Sequence, residues 1–338
     1  MAVIGIKDIA MRAKVSPATV SRVFSNPELV SKKTLARVKK VIDETGYRPN
    51  RIGASLRTRK TGNIVAIIPD ITKPVNAGII RAIENRAQSR GYSVLLGDTQ
   101  GLTDREHHYA ELVSMGQADG ILLFSGNLPF NIDESRPLYE QIPPLVNGNE
   151  RAKHSQLVQV TVDNIRASAD AVDHLAALGH HRIAAVTGPS STPSSQERLQ
   201  GYVNALKNIG IGYEPQWVIE GDYDVLCGET AVNQLMALKE RPTAIFCFND
   251  DMAIGVMGAL QKRGFTIPED ISVMGFDDIR YAEYVTPALT TIHQPLEEIG
   301  NACIDALLDQ LKNGIPKPSC EFLPHTLIIR QSTGPVKS

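Results

Sequence analysis

From Asn63 onward the chain alternates short apolar runs with segments of helical period, and this pattern leaves few folds open. The runs are Ile64-Val65-Ala66-Ile67-Ile68, Ser93-Val94-Leu95-Leu96, Gly120-Ile121-Leu122-Leu123-Phe124 and Val158-Gln159-Val160-Thr161-Val162. After Asn164 they resume with Arg182–Val186, Thr243–Cys247 and Ile271–Met274. Between them lie Ile79–Arg90, Ile165–Leu178, Gln196–Asn208 and Asp251–Arg263, where apolar residues recur every three or four positions. Strands apolar on both faces and separated by helices predict parallel sheets covered on both sides, and their number suits two sheets. No apolar run approaches the ~18 residues of a membrane span, and the first residues lack a signal-peptide layout. A cytoplasmic protein is expected.

The first sixty residues obey a different rule. They hold 14 Lys and Arg against 4 Asp and Glu, whereas the whole chain holds 35 against 37. An almost neutral chain has therefore gathered its positive charge at one end, the arrangement that phosphate binding uses. Within this end, Val15-Ser16-Pro17-Ala18-Thr19-Val20-Ser21-Arg22 reads as the turn and second helix of a helix-turn-helix. Ser16 is an N-cap and Pro17 sits at the first helical position, where its missing N–H costs nothing. Val20 and Val23 face inward against Ile9, Ala10 and Ala13 of a first helix from Ile6 to Ala13. Ser16, Pro17, Ala18, Ser21 and Arg22 are left outward, a face slim enough for a major groove of ~12 Å. Ser31 caps a third helix from Lys32 to about Thr45, with Leu35, Val38 and Ile42 inward and Gly46 as its stop. Its other face carries Lys32, Lys33, Arg37, Lys39 and Lys40, five bases with no acid among them. Beyond it, Asn50 could cap a helix of about two turns, too short to stand alone in water and weakened further by Gly53.

These residues resemble the headpiece of the lactose and purine repressor family. The likeness lies in Ile6-Lys7-Asp8-Ile9-Ala10, the Val15–Arg22 run, Val30-Ser31-Lys32-Lys33-Thr34 and the hinge Tyr47–Leu56, and it continues over the body of the chain. It implies an all-α helix-turn-helix headpiece (1–48), a hinge helix and linker (49–61), and a two-lobed periplasmic-binding-protein-like α/β core (62–338). The N-lobe would comprise 62–162 and 294–323, and the C-lobe 163–292 and 324–338. The chain would cross between lobes near Asp163-Asn164, Thr291–Gln294 and residues 322–326. The resemblance also implies DNA contacts from Ser16, Pro17, Ala18, Thr19, Ser21, Arg22, Ser31 and Thr34. In the hinge it implies Asn50, Arg51, Ala54 and a minor-groove wedge at Leu56. Homodimers on near-palindromic double-stranded operators are expected, and no leucine-heptad tail after residue 330 suggests a tetramer.

Open parallel sheets bind ligands beyond the carboxyl ends of their strands. The polar residues that follow the apolar runs are Asp70, Asp98, Ser125, Asn147, Asp163, Asn249, Asp250 and Asp277, joined by Asn76, Arg198, Tyr223 and Gln294 in loops and crossings. Carboxylates, amides and an arginine around one cleft suit a neutral polyhydroxylated molecule, because each hydroxyl both donates and accepts. Asp163, Asp98 and Asp250 each precede a helix and serve equally well as caps. The family resemblance points Arg198 and Asp277 at sugar hydroxyls and Tyr223 at a stacked ring. It is strongest toward a nucleoside-responsive member, through Leu95-Leu96-Gly97-Asp98, Ala118–Leu123 and Pro143–Asn147. Such members carry aromatics after Pro74, where this chain has Val75-Asn76, so the effector is expected to be a nucleoside or a free sugar.

Two other readings are a sugar- or nucleoside-binding α/β protein and a doubly wound enzyme, either with a basic N-terminal extension. The chain has no G-x-G-x-x-G, G-x-x-x-x-G-K, G-x-S-x-G or H-E-x-x-H motif, so neither enzyme activity nor a cofactor is expected. His107-His108 and His180-His181 are adjacent pairs that do not converge on a metal, which predicts exposed or capping roles. Cys227, Cys247, Cys303 and Cys320 lie far apart and are expected to be buried thiols.

Overall fold

The computed structural model describes residues 4–47, 60–152, 156–314 and 316–337. The chain divides into two compact units, Met1–Thr61 and Gly62–Ser338. The hinge positions Asn50, Arg51, Ala54 and Leu56 lie outside the described residues.

In the first unit, α1 (Ile6–Arg12), α2 (Pro17–Ser25) and α3 (Lys32–Thr45) enclose a small core of Ile9, Ala10, Ala13, Val20, Val23 and Val38. Local chemistry sets each start. Asp8 accepts from the Gly5 N–H at 2.8 Å, and Ser16 accepts from the Thr19 N–H at 3.2 Å. Ser31 accepts from the Thr34 N–H at 3.3 Å. Gly46 ends α3 in the left-handed conformation at φ +63°, which a side chain would oppose. The basic face of α3 is not free of acid, since Lys40 lies 3.9 Å from Glu44 one turn on.

The second unit holds two six-stranded sheets. The N-lobe sheet runs β11-β5-β4-β3-β1-β2, from β1 (Asn63–Ile68), β2 (Ser93–Asp98), β3 (Gly120–Leu123), β4 (Leu145–Gly148), β5 (Val158–Val162) and β11 (Ser319–Leu323). The C-lobe sheet runs β12-β10-β9-β8-β6-β7. Its strands are β6 (Ile183–Thr187), β7 (Val218–Glu220), β8 (Ala244–Cys247), β9 (Ser272–Asp277), β10 (Thr290–His293) and β12 (Thr326–Ile328). All pairings are parallel except that of β12 with β10. The strands interleave with α4 (Pro74–Ser89), α5 (Thr103–Ser114), α6 (Asn164–Ala177), α7 (Pro193–Asn208), α8 (Cys227–Ala237), α9 (Asp250–Lys262) and α10 (Leu296–Asn313).

The continuous apolar strands have the expected cause. In β1, Ile64, Ala66 and Ile68 enter one core layer while Val65 and Ile67 enter the other, so both faces are covered. The chain leaves the N-lobe after β5, returns through α10, which packs on α4, and leaves again after β11. Both sheets place their second strand outside the first, so each has a switch point, between β1 and β3 and between β6 and β8.

Two expectations fail here. His180 is neither exposed nor capping: it is 2% exposed and bonded to Thr243 Oγ1, Ser272 Oγ and the Gly334 carbonyl, each at 3.0 Å. Burial accordingly holds its pKa below the ordinary imidazole value. Of the four cysteines only Cys247 and Cys303 are buried; Cys227 is half-buried and Cys320 lies exposed on edge strand β11.

Candidate functional site

Backbone strain marks the cleft. Six described residues other than glycine have positive φ, and five of them, Gln100, Asn149, Tyr223, Asp277 and Asp278, stand at or just beyond the carboxyl ends of core strands. Such conformations cost roughly 1–3 kcal/mol each and gather where a scaffold must aim particular groups.

Beside the C-lobe switch point, α7 carries Arg198 to the carboxyl ends of β8 and β9. The side chain is 5% exposed, lies 3.6 Å over the Phe276 ring, and donates to the Phe248 carbonyl and, at 2.9 Å, to Asn164 Oδ1. Its guanidinium is 3.7 Å from Asp277. Asp277 also accepts from Gln294 Nε2 at 2.7 Å. Burial pushes the Asp277 carboxyl up to about 6, against the opposing pull of Arg198 and then the Gln294 hydrogen bond. Gln294 is itself 1% exposed, and its Oε1 is buried without a hydrogen-bond partner.

Tyr223 completes this wall. Its backbone is held at φ +63°, its carbonyl accepts from Asn249 Nδ2 at 3.1 Å, and its hydroxyl lies 3.3 Å from Ser194 Oγ. A Cβ on Gly188 would overlap the Tyr223 ring, so only glycine there leaves room for it. Burial raises the Tyr223 phenol above its ordinary value, with Arg198 opposing.

The structure thus brings Arg198, Asp277, Tyr223 and Asn249 of the C-lobe together with Gln294 of the crossing. The remaining predicted residues bond chiefly within their own surroundings. Asn147 is 1% exposed and bonded to the Leu123 and Ser125 carbonyls and the Ala152 N–H. The Ser125 hydroxyl donates to the Asn127 carbonyl, and Asn76 Nδ2 donates to the Asp70 carbonyl at 2.7 Å. Asp163 caps α6 through the Arg166 N–H at 2.9 Å. Asn249 caps α9 through the Met252 N–H at 2.9 Å, in addition to its bond to Tyr223.

Asp98 and Asp250 are not caps. Asp98 accepts from the Ile71 N–H and Gln100, and α5 begins after Leu102. Asp250, already inside α9 and fully buried, accepts from Thr291 Oγ1 at 2.6 Å and the Ile279 N–H at 2.8 Å. Burial first, then the charge of Asp277, raises its carboxyl well above the ordinary value.

Four neighbours escaped sequence reading: Lys73, Glu150, Asn164 and Ser194. Their side-chain partners lie 29 to 151 residues away, and only the strand–helix register could have placed Lys73 and Glu150 at strand ends.

On the headpiece, Ser16, Pro17, Ala18 and Arg22 are exposed together on α2, whereas Thr19 and Ser21 are half-buried. Ser31 is exposed and Thr34 half-buried at the start of α3.

Residues 5–50 match the family of bacterial regulatory proteins, lacI family, and residues 172–333 match a periplasmic binding protein-like domain. The chain is 41% identical over 330 residues to the HTH-type transcriptional repressor CytR of Escherichia coli (strain K12), covering 97% of this chain and 96% of that one. The chain belongs to the lacI family. It is also 33% identical to the HTH-type transcriptional repressor PurR of Vibrio atlanticus (strain LGP32), covering 97% and 98% of the two chains. Among solved structures it is similar to a lac repressor dimer bound to operator and an anti-inducer, with a TM-score of 0.86, 27% identity, and 98% and 99% of the chains covered. A complex of the transcriptional regulator CelR with cellobiose matches with a TM-score of 0.72 and 28% identity, covering 97% and 99%. As a lacI-family protein this is a non-enzymatic transcriptional repressor, with a helix-turn-helix that binds DNA and a core built to take an effector.

Proposed function

We propose that two copies of this chain pair through their cores and bind a near-palindromic operator in the cytoplasm, each headpiece (1–48) reading one half-site. Ser16, Pro17, Ala18, Thr19, Ser21 and Arg22 enter the major groove, with Ser31 and Thr34 on the backbone. The hinge (49–61) orders over the operator centre, where Asn50, Arg51 and Ala54 line the minor groove and Leu56 wedges into it. The core (62–338) takes a nucleoside between its lobes and couples it to DNA affinity through differential binding to two lobe arrangements.

The observation that carries the effector reading is the buried, unpartnered Oε1 of Gln294 beside Arg198 and Asp277. A buried acceptor left without a donor costs about 1–3 kcal/mol, and one ligand hydroxyl donating to it would satisfy it while a neighbouring hydroxyl donates to Asp277. Likeness to CytR over nearly the whole chain supports a nucleoside. Val75 and Asn76, which leave the second side of a base without an aromatic partner, support a free sugar as the second reading.

Thermal shift against nucleosides, nucleobases and aldoses tests this. A true effector at 100 times its dissociation constant adds about 2.7 kcal/mol of stability. Stabilisation by nucleosides carries the proposal, stabilisation by sugars alone carries the second reading, and silence from both classes refutes the site. Selection of bound sequences from a random DNA pool tests the other half; a pool that yields no inverted repeat refutes the paired-headpiece arrangement.

A further inference from the structure

Tyr223 is gripped from the opposite lobe at both ends. Lys73, at the turn from β1 into α4, donates from Nζ to the Tyr223 carbonyl at 3.2 Å and to Asp224 Oδ2 at 2.9 Å. Glu150, beyond β4, accepts from the Ser194 N–H at 2.6 Å and from Ser194 Oγ at 2.7 Å, and that same hydroxyl meets the Tyr223 hydroxyl. Beside it Arg151 lies 3.3 Å from Glu197. Lys73, Glu150 and Arg151 belong to the N-lobe; Ser194, Glu197, Tyr223 and Asp224 belong to the C-lobe.

We propose that Lys73 and Glu150 are positioning residues that clasp the two lobes shut around Tyr223 before any effector arrives. The chemistry of each clasp is specific. Glu150 places a carboxylate on the first turn of α7, where unpaired N–H groups and the helix dipole both favour it. Lys73 inserts an ammonium among Asp224, Asp251 and its own Asp70, whose charges all act on it. Without Lys73, Asp224 and Asp251 repel each other on the C-lobe and face Asp70 on the N-lobe. The side chains of Lys73 and Asp224 are 24% and 42% exposed, so this clasp is the weaker one and its loss lowers the closed-to-open ratio by about fivefold. An effector that moves the Tyr223 ring loosens both clasps, because one holds its carbonyl and the other reaches its hydroxyl through Ser194.

The test needs neither effector nor DNA, so it stands or falls separately from the function proposed above. Spin labels on unnatural keto side chains at the exposed positions Asp104 and Glu229 would report the width of the cleft mouth by pulsed electron resonance. They would be placed in full-length protein diluted with unlabelled chains. Wild type should give one short distance. Lys73→Met should add a longer population, Glu150→Ala a larger one, and the exchange Lys73→Asp with Asp224→Lys should restore the short distance. Unchanged distances in both single variants would overturn the clasps. If Lys73→Met opens the cleft and the charge exchange does not close it, the ion pair is not what holds the lobes, and the Lys73 part of the proposal fails.

Discussion

Gln294 donates to Asp277 at 2.7 Å from the crossing where the chain returns to the N-lobe, while Asp277 ends the central C-lobe strand β9. A residue at the hinge between lobes is thereby bonded to the carboxylate nearest Arg198. Whatever binds that carboxylate therefore also meets a group on the crossing between the lobes.

The raised Asp277 carboxyl gives a pH signature. Its value of about 6 in the folded protein stands above the ~3.9 of an unfolded aspartate. Folding therefore takes up a proton between these values. The contribution to stability is complete below about pH 4 and is lost as pH rises through about 6. The melting temperature of wild type minus that of Asp277→Asn should fall between pH 4.5 and pH 7. Glu150 and Asp251 are also raised by burial but are common to both proteins, and Asp250 keeps in the variant the burial that chiefly raises it, so a flat difference would count against the assignment to Asp277.

Arg198→Ala removes more than an effector contact. The guanidinium packs on Phe276 and bonds Phe248 and Asn164, and its loss leaves Asp277 buried without a cation. Breaking a buried pair in this way costs about 3–5 kcal/mol. A lower denaturant midpoint is expected together with loss of effector binding, so the intact ligand-free fold that a purely ligand-binding arginine would leave is not expected. An unchanged midpoint would show that the arginine is not a strut.

Gly188→Ala addresses the aromatic wall. The added methyl overlaps the Tyr223 ring, and the Tyr223 backbone cannot follow because Asn249 and Lys73 hold its carbonyl. Overpacking of this kind costs typically 1–3 kcal/mol. The protein should fold with a lowered melting temperature and lose the thermal shift given by the effector. Retention of that shift would remove Tyr223 from the binding site.

The lobes were legible because buried parallel strands leave continuous apolar runs, and the headpiece because Ser16, Pro17, Ser31 and Gly46 act on their own neighbours. Two of the edge strands were not. β11 is exposed along nearly its whole length and β7 spans only three residues, so neither produces an apolar run. Arg198, Asp277, Tyr223 and Gln294 could be singled out, yet Lys73 and Glu150 owe their surroundings to the other lobe. His180 failed for the same reason, since what buries it includes Gly334, 154 residues further on.

DNA contacts separate by salt and by sequence. Lys32→Ala or Lys33→Ala should lower the slope of log affinity against log salt by about 1 each if that lysine meets a phosphate, with base preference unchanged. Arg22→Ala should relax preference at one operator position. Leu56→Ala should weaken binding and reduce bending in a phased-bend gel assay; full bending in that variant would end the wedge role.

Neither lobe is a continuous stretch of chain, and this governs the order in which the protein can be made. The headpiece core closes with Val38 and Tyr47, so it is complete soon after it leaves the ribosome. The N-lobe must wait for α10 and β11, and the C-lobe for β12 and the Ser332 hydroxyl that binds Val273 and Thr290. Chains that emerge from synthesis domain by domain thus carry a finished headpiece core long before they carry its control. A message cut short anywhere before the codon for Ser332 would yield a folded headpiece on a core that still lacks a closing contact.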